Sequence, residues 1–142
     1  MLSIYPACFY KEEDGYSVIF PDLNRLATQG DTIEEAMEMA VECLAGYLYS
    51  CQKDGTAIPK PSRMSDIDPI AVSNQIAPEE PLGEAFVNMV SVDMAAYAKE
   101  HFEKSVRKTL TIPAWLNAAA LEMNLNFSQV LQEALLAKVK AR

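Results

Sequence analysis

The stretch DTIEEAMEMAVECLAGYLYSCQK, residues 31–53, decides how the acidic part of this chain folds. Ile33, Met37, Ala40, Val41, Leu44, Leu48 and Cys51 recur three and four positions apart, which places them on one stripe of a helix whose other face is charged. Asp31 and Thr32 each precede a glutamate by three residues, so either can build a capping box at the helix start. Upstream lie two β-rich runs, SIYPACFY (3–10) and GYSVIFPDL (15–23), separated by a polar stretch with Asp14-Gly15 as the turn signal. The pattern predicts a hairpin, followed by a third short strand, LATQG (26–30).

Downstream the character changes. Residues 54–84 hold Pro59, Pro61, Pro69, Pro78 and Pro81, five of the eight prolines, and read as a long connection. Such a length without a pattern of its own is uncommon in a compact domain, so it is expected to drape over the surface or to touch a partner. FVNMVSV (86–92) returns as a strand, and Asp93 can cap a short helix carrying Met94, Tyr97, Ala98 and Phe102 on one stripe. The expected order is β-β-β-α-β-α, and the FEKS segment marks a boundary between domains at 1–103 and 104–142.

Composition narrows the possible functions. Half of the 142 residues are apolar and 23% are charged, a globular balance. No apolar run approaches the roughly 18 residues of a membrane span, and the start MLSIYPACFYKEE has no secretion-signal pattern, so a cytoplasmic protein is expected. Cys8, Cys43 and Cys51 form no CxxC pair, and His101, the one histidine, sits in a helix-end context. A catalytic triad, a zinc site and a histidine proton shuttle are each poorly supplied; no metal and no cofactor is expected. Residues 1–104 carry seven Lys and Arg against 18 Asp and Glu, a net of −11, whereas 105–142 carry five against two, a net of +3. An acidic body with a basic tail fits two partners of opposite electrostatic preference.

The tail begins RKTLTIP (107–113). In a strand, Arg107, Thr109 and Thr111 project one way, and Lys108, Leu110 and Ile112 the other. Pro113 then opens a helix with Leu116, Ala119, Ala120 and Met123 as its stripe; Asn124 can end it. Asn126 caps a second helix, with Gln129 positioned to complete a capping box and Val130, Leu131, Ala134 and Leu135 continuing the stripe. One strand and two helices leave unpaired backbone groups and an open apolar face, so the tail needs a second copy. Two strands paired about a two-fold axis make a ribbon that fits the DNA major groove.

RKTLTIPAWLNAAALEMNLNFSQVLQEAL resembles a ribbon-helix-helix DNA-binding domain over essentially the whole motif. The resemblance implies that Arg107, Thr109 and Thr111 read base edges. Lys108 would reach toward the backbone phosphates, and the amides of Asn126, Phe127 and Ser128 would hold a phosphate. It implies a dimerisation core of Leu110, Ile112, Leu116, Val130, Leu131 and Leu135. Many members carry glycine between the helices; here the turn is Asn124-Leu125-Asn126, and asparagine tolerates the left-handed conformation needed there.

The segment YPACFYKEEDGYSVIFPDLNRLATQGDTIEEAMEMA, with the later IPKPS, is similar to the N-terminal domain of HicB antitoxins, a partial RNase H-like fold. Members often have Pro-Gly-Cys after the PDL, where this chain has Asn24-Arg25-Leu26. RNase H-type catalysis needs clustered carboxylates around two metal ions, but the first strand carries no acid in SIYPACFY, Asp14 falls in a turn, and Asp22 reads as a turn former. The chain is therefore expected not to be an enzyme.

The resemblance implies neutralisation of a HicA-type toxin, a small basic ribonuclease that cleaves mRNA, with Glu34, Glu35, Glu38 and Glu42 as contact candidates. The overall expectation is an α+β antitoxin, a homodimer or homotetramer, that binds HicA and represses its own operon through double-stranded operator DNA. The alternative is a free-standing ribbon-helix-helix regulator whose body senses a small ligand.

Overall fold

A computed structural model of the chain describes residues 1–78, 83–103 and 105–141; Pro81, residue 104 at the expected boundary and the terminal Arg142 lie outside the described residues. The chain divides into two compact units, Met1–Lys104 and Ser105–Arg142. The first is an α+β unit with strands β1 (Leu2–Glu12), β2 (Gly15–Phe20), β3 (Leu26–Gly30) and β4 (Ala85–Asp93) and helices α1 (Ile33–Asp54), α2 (Pro69–Ile76) and α3 (Met94–His101). The four strands are antiparallel in the order β3-β2-β1-β4.

Alternation builds the core. Tyr5, Ala7 and Phe9 of β1, Val18 and Phe20 of β2, and Val90 and Val92 of β4 share one face, and pack around Ala36, Ala40, Leu44, Ala45 and Leu48 of α1. Phe9, Phe20 and Leu44 are fully buried, each such side chain contributing about 1.5–3 kcal/mol relative to exposure. Phe9 also stacks on its cross-strand neighbour Phe86, with ring centroids 5.1 Å apart. Pro6, Cys8 and Tyr10 point to the opposite face and are buried too, because the chain after α1 returns across it. The Tyr10 hydroxyl donates to the Pro69 carbonyl at 2.7 Å, and Tyr5 to Pro59 at 2.5 Å.

That return is more ordered than its prolines announce. The connection expected to lack a pattern contains a 3₁₀ turn at Met64–Asp66 and the helix α2. Asp68 caps α2 by accepting from the Ile70 amide at 3.0 Å, and Pro69 occupies the first turn, where its missing N–H costs nothing. Eight residues are too few for periodicity to show.

Local signals shape the other ends. Thr32 accepts from the Glu35 amide at 3.1 Å while the Glu35 carboxylate accepts from the Asp31 amide at 2.7 Å, so of the two candidates Thr32 is the cap of α1 and Asp31 contributes only its backbone amide. Between β2 and β3, Asn24 and Arg25 are both left-handed, at φ +56° and +57°, and the Leu26 amide donates to the Leu23 carbonyl at 3.1 Å. Two positive φ values inside an i to i+3 bond are the mark of a type I′ turn. Leu23, fully buried, anchors it. Pro6, inside the central strand, lies beyond the last residue pair of β1 with β2, Cys8↔Ile19, so no ladder bond is lost to its missing donor.

The second unit holds α4 (Ala114–Glu122) and α5 (Phe127–Lys140). Asn124, at φ +53°, ends α4: the Leu125 amide donates to Ala120 and the Asn124 amide to Leu121, the paired bonds of a Schellman motif. Asn126 caps α5 by accepting from the Gln129 amide at 3.1 Å. The reciprocal half of the expected box is not made; the Gln129 side chain donates to Glu133 one turn on. Residues 105–112 belong to no helix or sheet in the single chain.

Candidate binding surfaces

On the body, the surface facing away from the sheet is the outer side of α1. Glu34, Glu38 and Glu42 are exposed and four residues apart, forming a line of carboxylates. Like charges at that spacing repel by about 0.2–0.5 kcal/mol per pair. Glu42 also contributes, after burial, to raising the Tyr97 hydroxyl and Cys43 thiol above their ordinary pKa values. Glu35, in contrast, is committed to the helix cap. The four candidates thus divide into three that face solvent freely and one with a structural partner.

Asp22 has a more specific role than turn formation. Its carboxylate accepts from both the amide and the hydroxyl of Ser62, at 2.7 and 2.6 Å, tethering the proline-rich return to the end of β2 across 40 residues of sequence. A further strut joins the Arg25 guanidinium to the Gln75 side chain of α2 at 3.3 Å. Cys8, buried under the return, has its thiol pushed up by burial, which keeps it unreactive. Among the described residues no cluster of three or more His, Cys, Asp or Glu is placed to hold a metal ion, and no helix is long and apolar enough to cross a membrane. His101, the last residue of α3, lies against the Tyr97 ring with centroids 4.2 Å apart.

In the second unit, the segment preceding α4 and the two helices enclose an open apolar groove of about 480 Å³. Leu110 and Ile112 of the segment, Leu116 of α4, and Val130 and Leu131 of α5 all line it, as five of the six expected core residues. Leu135 does not; it is exposed a turn further along. Asn117, Ala120, Leu125, Phe127 and Ala134 complete the lining, and of these Asn117, Leu125 and the Phe127 ring carried no expectation of burial. Met123, expected on the stripe of α4, is instead 69% exposed. Apolar residues nearly encircle α4, so periodicity alone does not select its inner face. Arg107, Lys108, Thr109 and Thr111 are exposed and stand outside the groove. Phe127 combines two roles: its ring lines the groove, while its backbone belongs to the exposed first turn of α5.

A sequence model of the family described as the HicB-like antitoxin of bacterial toxin-antitoxin systems matches residues 5–139, and the chain belongs to that family. Particular relatives sharpen the assignment. The chain is 40% identical over 68 residues, 46% of its length, to Antitoxin HicB 1 of Photorhabdus laumondii. That match, and the one to Antitoxin HicB 2 of the same organism, span 44% and 42% of the relatives' own lengths, so the chain spans less than half of each. Over 97% of this chain and 99% of the other, it is similar to one chain of a toxin-antitoxin complex from Streptococcus pneumoniae, with 34% identity and a TM-score of 0.63. The antitoxin HicB of Burkholderia pseudomallei shares the fold at 20% identity and a TM-score of 0.51, over 94% and 96% of the two chains.

Proposed function

We propose that the chain neutralises a HicA-type, mRNA-cleaving toxin with its acidic body and represses its own operon with its basic tail. The observation that carries the reading is the open groove: ten residues, nearly all apolar, line a cavity in a unit too small to close it. A second copy would close it. Two segments of residues 105–113, pairing antiparallel about a two-fold axis, form a ribbon over four helices and turn Leu110 and Ile112 inward. Alternation then turns Arg107, Thr109 and Thr111 of both copies outward, Arg107 toward guanine acceptors and the threonines toward base edges or thymine methyls. The amides of Asn126, Phe127 and Ser128, at the positive end of α5, hold a backbone phosphate, and Lys108 adds a cation nearby. The domain division at 103/104, the ribbon-helix-helix tail and the RNase H-like character of the body are parts of this reading.

For the body, the net charge of −11 speeds encounter with a basic toxin, and the free carboxylates of Glu34, Glu38 and Glu42 face it. Covering the toxin's RNA surface blocks cleavage by exclusion, without any chemistry by this chain. The experiment is co-purification with the product of the neighbouring gene, followed by gel-shift on the upstream DNA and an RNA-protection assay. Arg107→Ala is expected to weaken operator binding by about 1–3 kcal/mol and leave RNA protection unchanged. Equal losses in both assays refute the division of labour between the two units, and failure to co-purify favours the free-standing regulator.

A further inference from the structure

On the face of the sheet opposite α1, a second groove of about 710 Å³ runs between the turn end of the β1–β2 hairpin and α2. Its walls are fixed in place by the body itself. The Tyr10 hydroxyl, donating to Pro69, holds the start of α2 on the sheet, and Gln75 near its end accepts from Arg25. On the far side the Lys11 amide donates to the Glu84 carbonyl at 2.8 Å. A Cβ on Gly83 would stand 2.7 Å from the Lys11 carbonyl oxygen, so glycine is what lets the chain enter β4 this close to the hairpin.

The groove is apolar within and acidic at its lip. Tyr10, Ile19, Ile76 and Ala77 supply the apolar lining, with Ile76 still 48% exposed, whereas Glu12, Glu13 and Glu84 are exposed around it. Lys11 is the one basic residue in the two stretches that build the groove, 10–19 and 73–84, against Glu12, Glu13, Asp14, Glu79, Glu80 and Glu84. It has the parity of Phe9, so alternation sends its amine toward the other face of the sheet. The complement of such a surface is a segment with an apolar edge flanked by lysine or arginine.

We propose that this groove receives a basic, amphipathic segment of the toxin. The proposal rests on the toxin-neutralising reading and gives the grip a place. The same end of the sheet carries the acidic start of α1: Gly30 pairs with Tyr16 beside the hairpin turn and Glu34 follows four residues later, so one basic partner can reach both. The two surfaces then divide the work. The exposed carboxylates of α1 attract at a distance and set the rate of encounter, while the groove buries apolar surface and sets how long the partner stays. A second acidic body is a poor occupant, because it would bring carboxylates against carboxylates.

Surface plasmon resonance of the full chain against the product of the neighbouring gene tests this, with sedimentation equilibrium and operator gel-shift on the same preparations. Ile76→Arg places a cation in the groove, and Glu13→Lys with Glu84→Lys reverses its lip; Glu12 is left in place because its carboxylate accepts from the Ser17 hydroxyl. All three altered side chains are exposed, so circular dichroism should stay that of the parent. Each variant should weaken toxin binding at least about tenfold, with mass and operator binding unchanged. Ile76→Ala, which adds no charge, should weaken it about fivefold through faster dissociation, whereas Glu34→Lys with Glu38→Lys should slow association and leave dissociation as it was. Groove variants that bind like the parent, while the α1 pair abolishes binding, overturn the groove and leave the neutralising function standing. An intact chain that does not bind the neighbouring product overturns both. Groove variants that lower the mass of the protein give the groove to another copy and overturn the proposal.

Discussion

The two units meet the same physical demand in opposite ways. The body buries its apolar residues itself: Phe9, Val18, Phe20, Leu23 and Leu44 are completely covered. In the second unit every described residue except Asn117 and Ala120 is exposed, including Leu110, Leu116, Phe127 and Leu131. Secondary structure is equally well signalled in both, since the tail has a complete Schellman motif and a side-chain cap on α5. Good helices and turns therefore do not by themselves make a stable unit; the missing element is a surface to bury against. The body covers its own core, whereas the tail leaves its apolar groove open.

The chain supplies its own probes for that contrast. Trp115, the single tryptophan, sits 72% exposed on α4 and reports the tail, whereas all six tyrosines lie in residues 1–104 and report the body. The largest effect is expected from Phe9→Ala, which removes a fully buried ring and its stacking on Phe86 and should cost the body about 3–5 kcal/mol in a denaturant titration. Trp115 fluorescence should retain its own transition in that variant, and a merged transition would break the comparison. Next comes dilution: a hundredfold decrease in protein concentration should lower the stability reported by Trp115 by about 2.7 kcal/mol, the mass-action value for an associating unit. The body, with its self-contained core, should not respond by that amount.

Asn126→Ala removes the cap of α5 and should cost about 1 kcal/mol, read by the Trp115 transition alone. The smallest effect concerns pH. The Asp93 carboxyl is held below its usual range first by the Ala96 amide and then by the amino terminus. A depressed carboxyl stabilises the fold above its unfolded pKa and loses that contribution as pH falls through the folded value. Protection factors of the α3 amides, which correct exchange for its intrinsic slowing in acid, should thus fall on acidification below the ordinary carboxylate range, and Asp93→Asn should flatten that dependence while keeping a cap acceptor.

What could be read from the residues follows the range of the forces involved. α1, the β1–β2 hairpin, β3, β4 and α3 are legible because their burial patterns or caps lie within a few positions of one another. α2 is hidden among prolines, although Asp68-Pro69 carries its start signal. The strand order β3-β2-β1-β4 and the Asp22–Ser62 tether depend on contacts far apart in sequence, which no local pattern encodes. For the tail, the parity of Leu110 and Ile112 against Arg107 and Thr109 is plain, whereas the inner face of α4 is not, since Trp115, Leu121 and Met123 compete with Leu116 for it.

Pro6 sets a limit on the hairpin beside it. Continuing the β1–β2 register past Cys8↔Ile19 would bring Pro6 opposite Pro21, two residues that have no amide proton to give. The ladder must end there, and sliding one strand along the other would drive a proline among bonded pairs. The hairpin thus carries its own stop at the open end, which opposes any slip of one strand along the other.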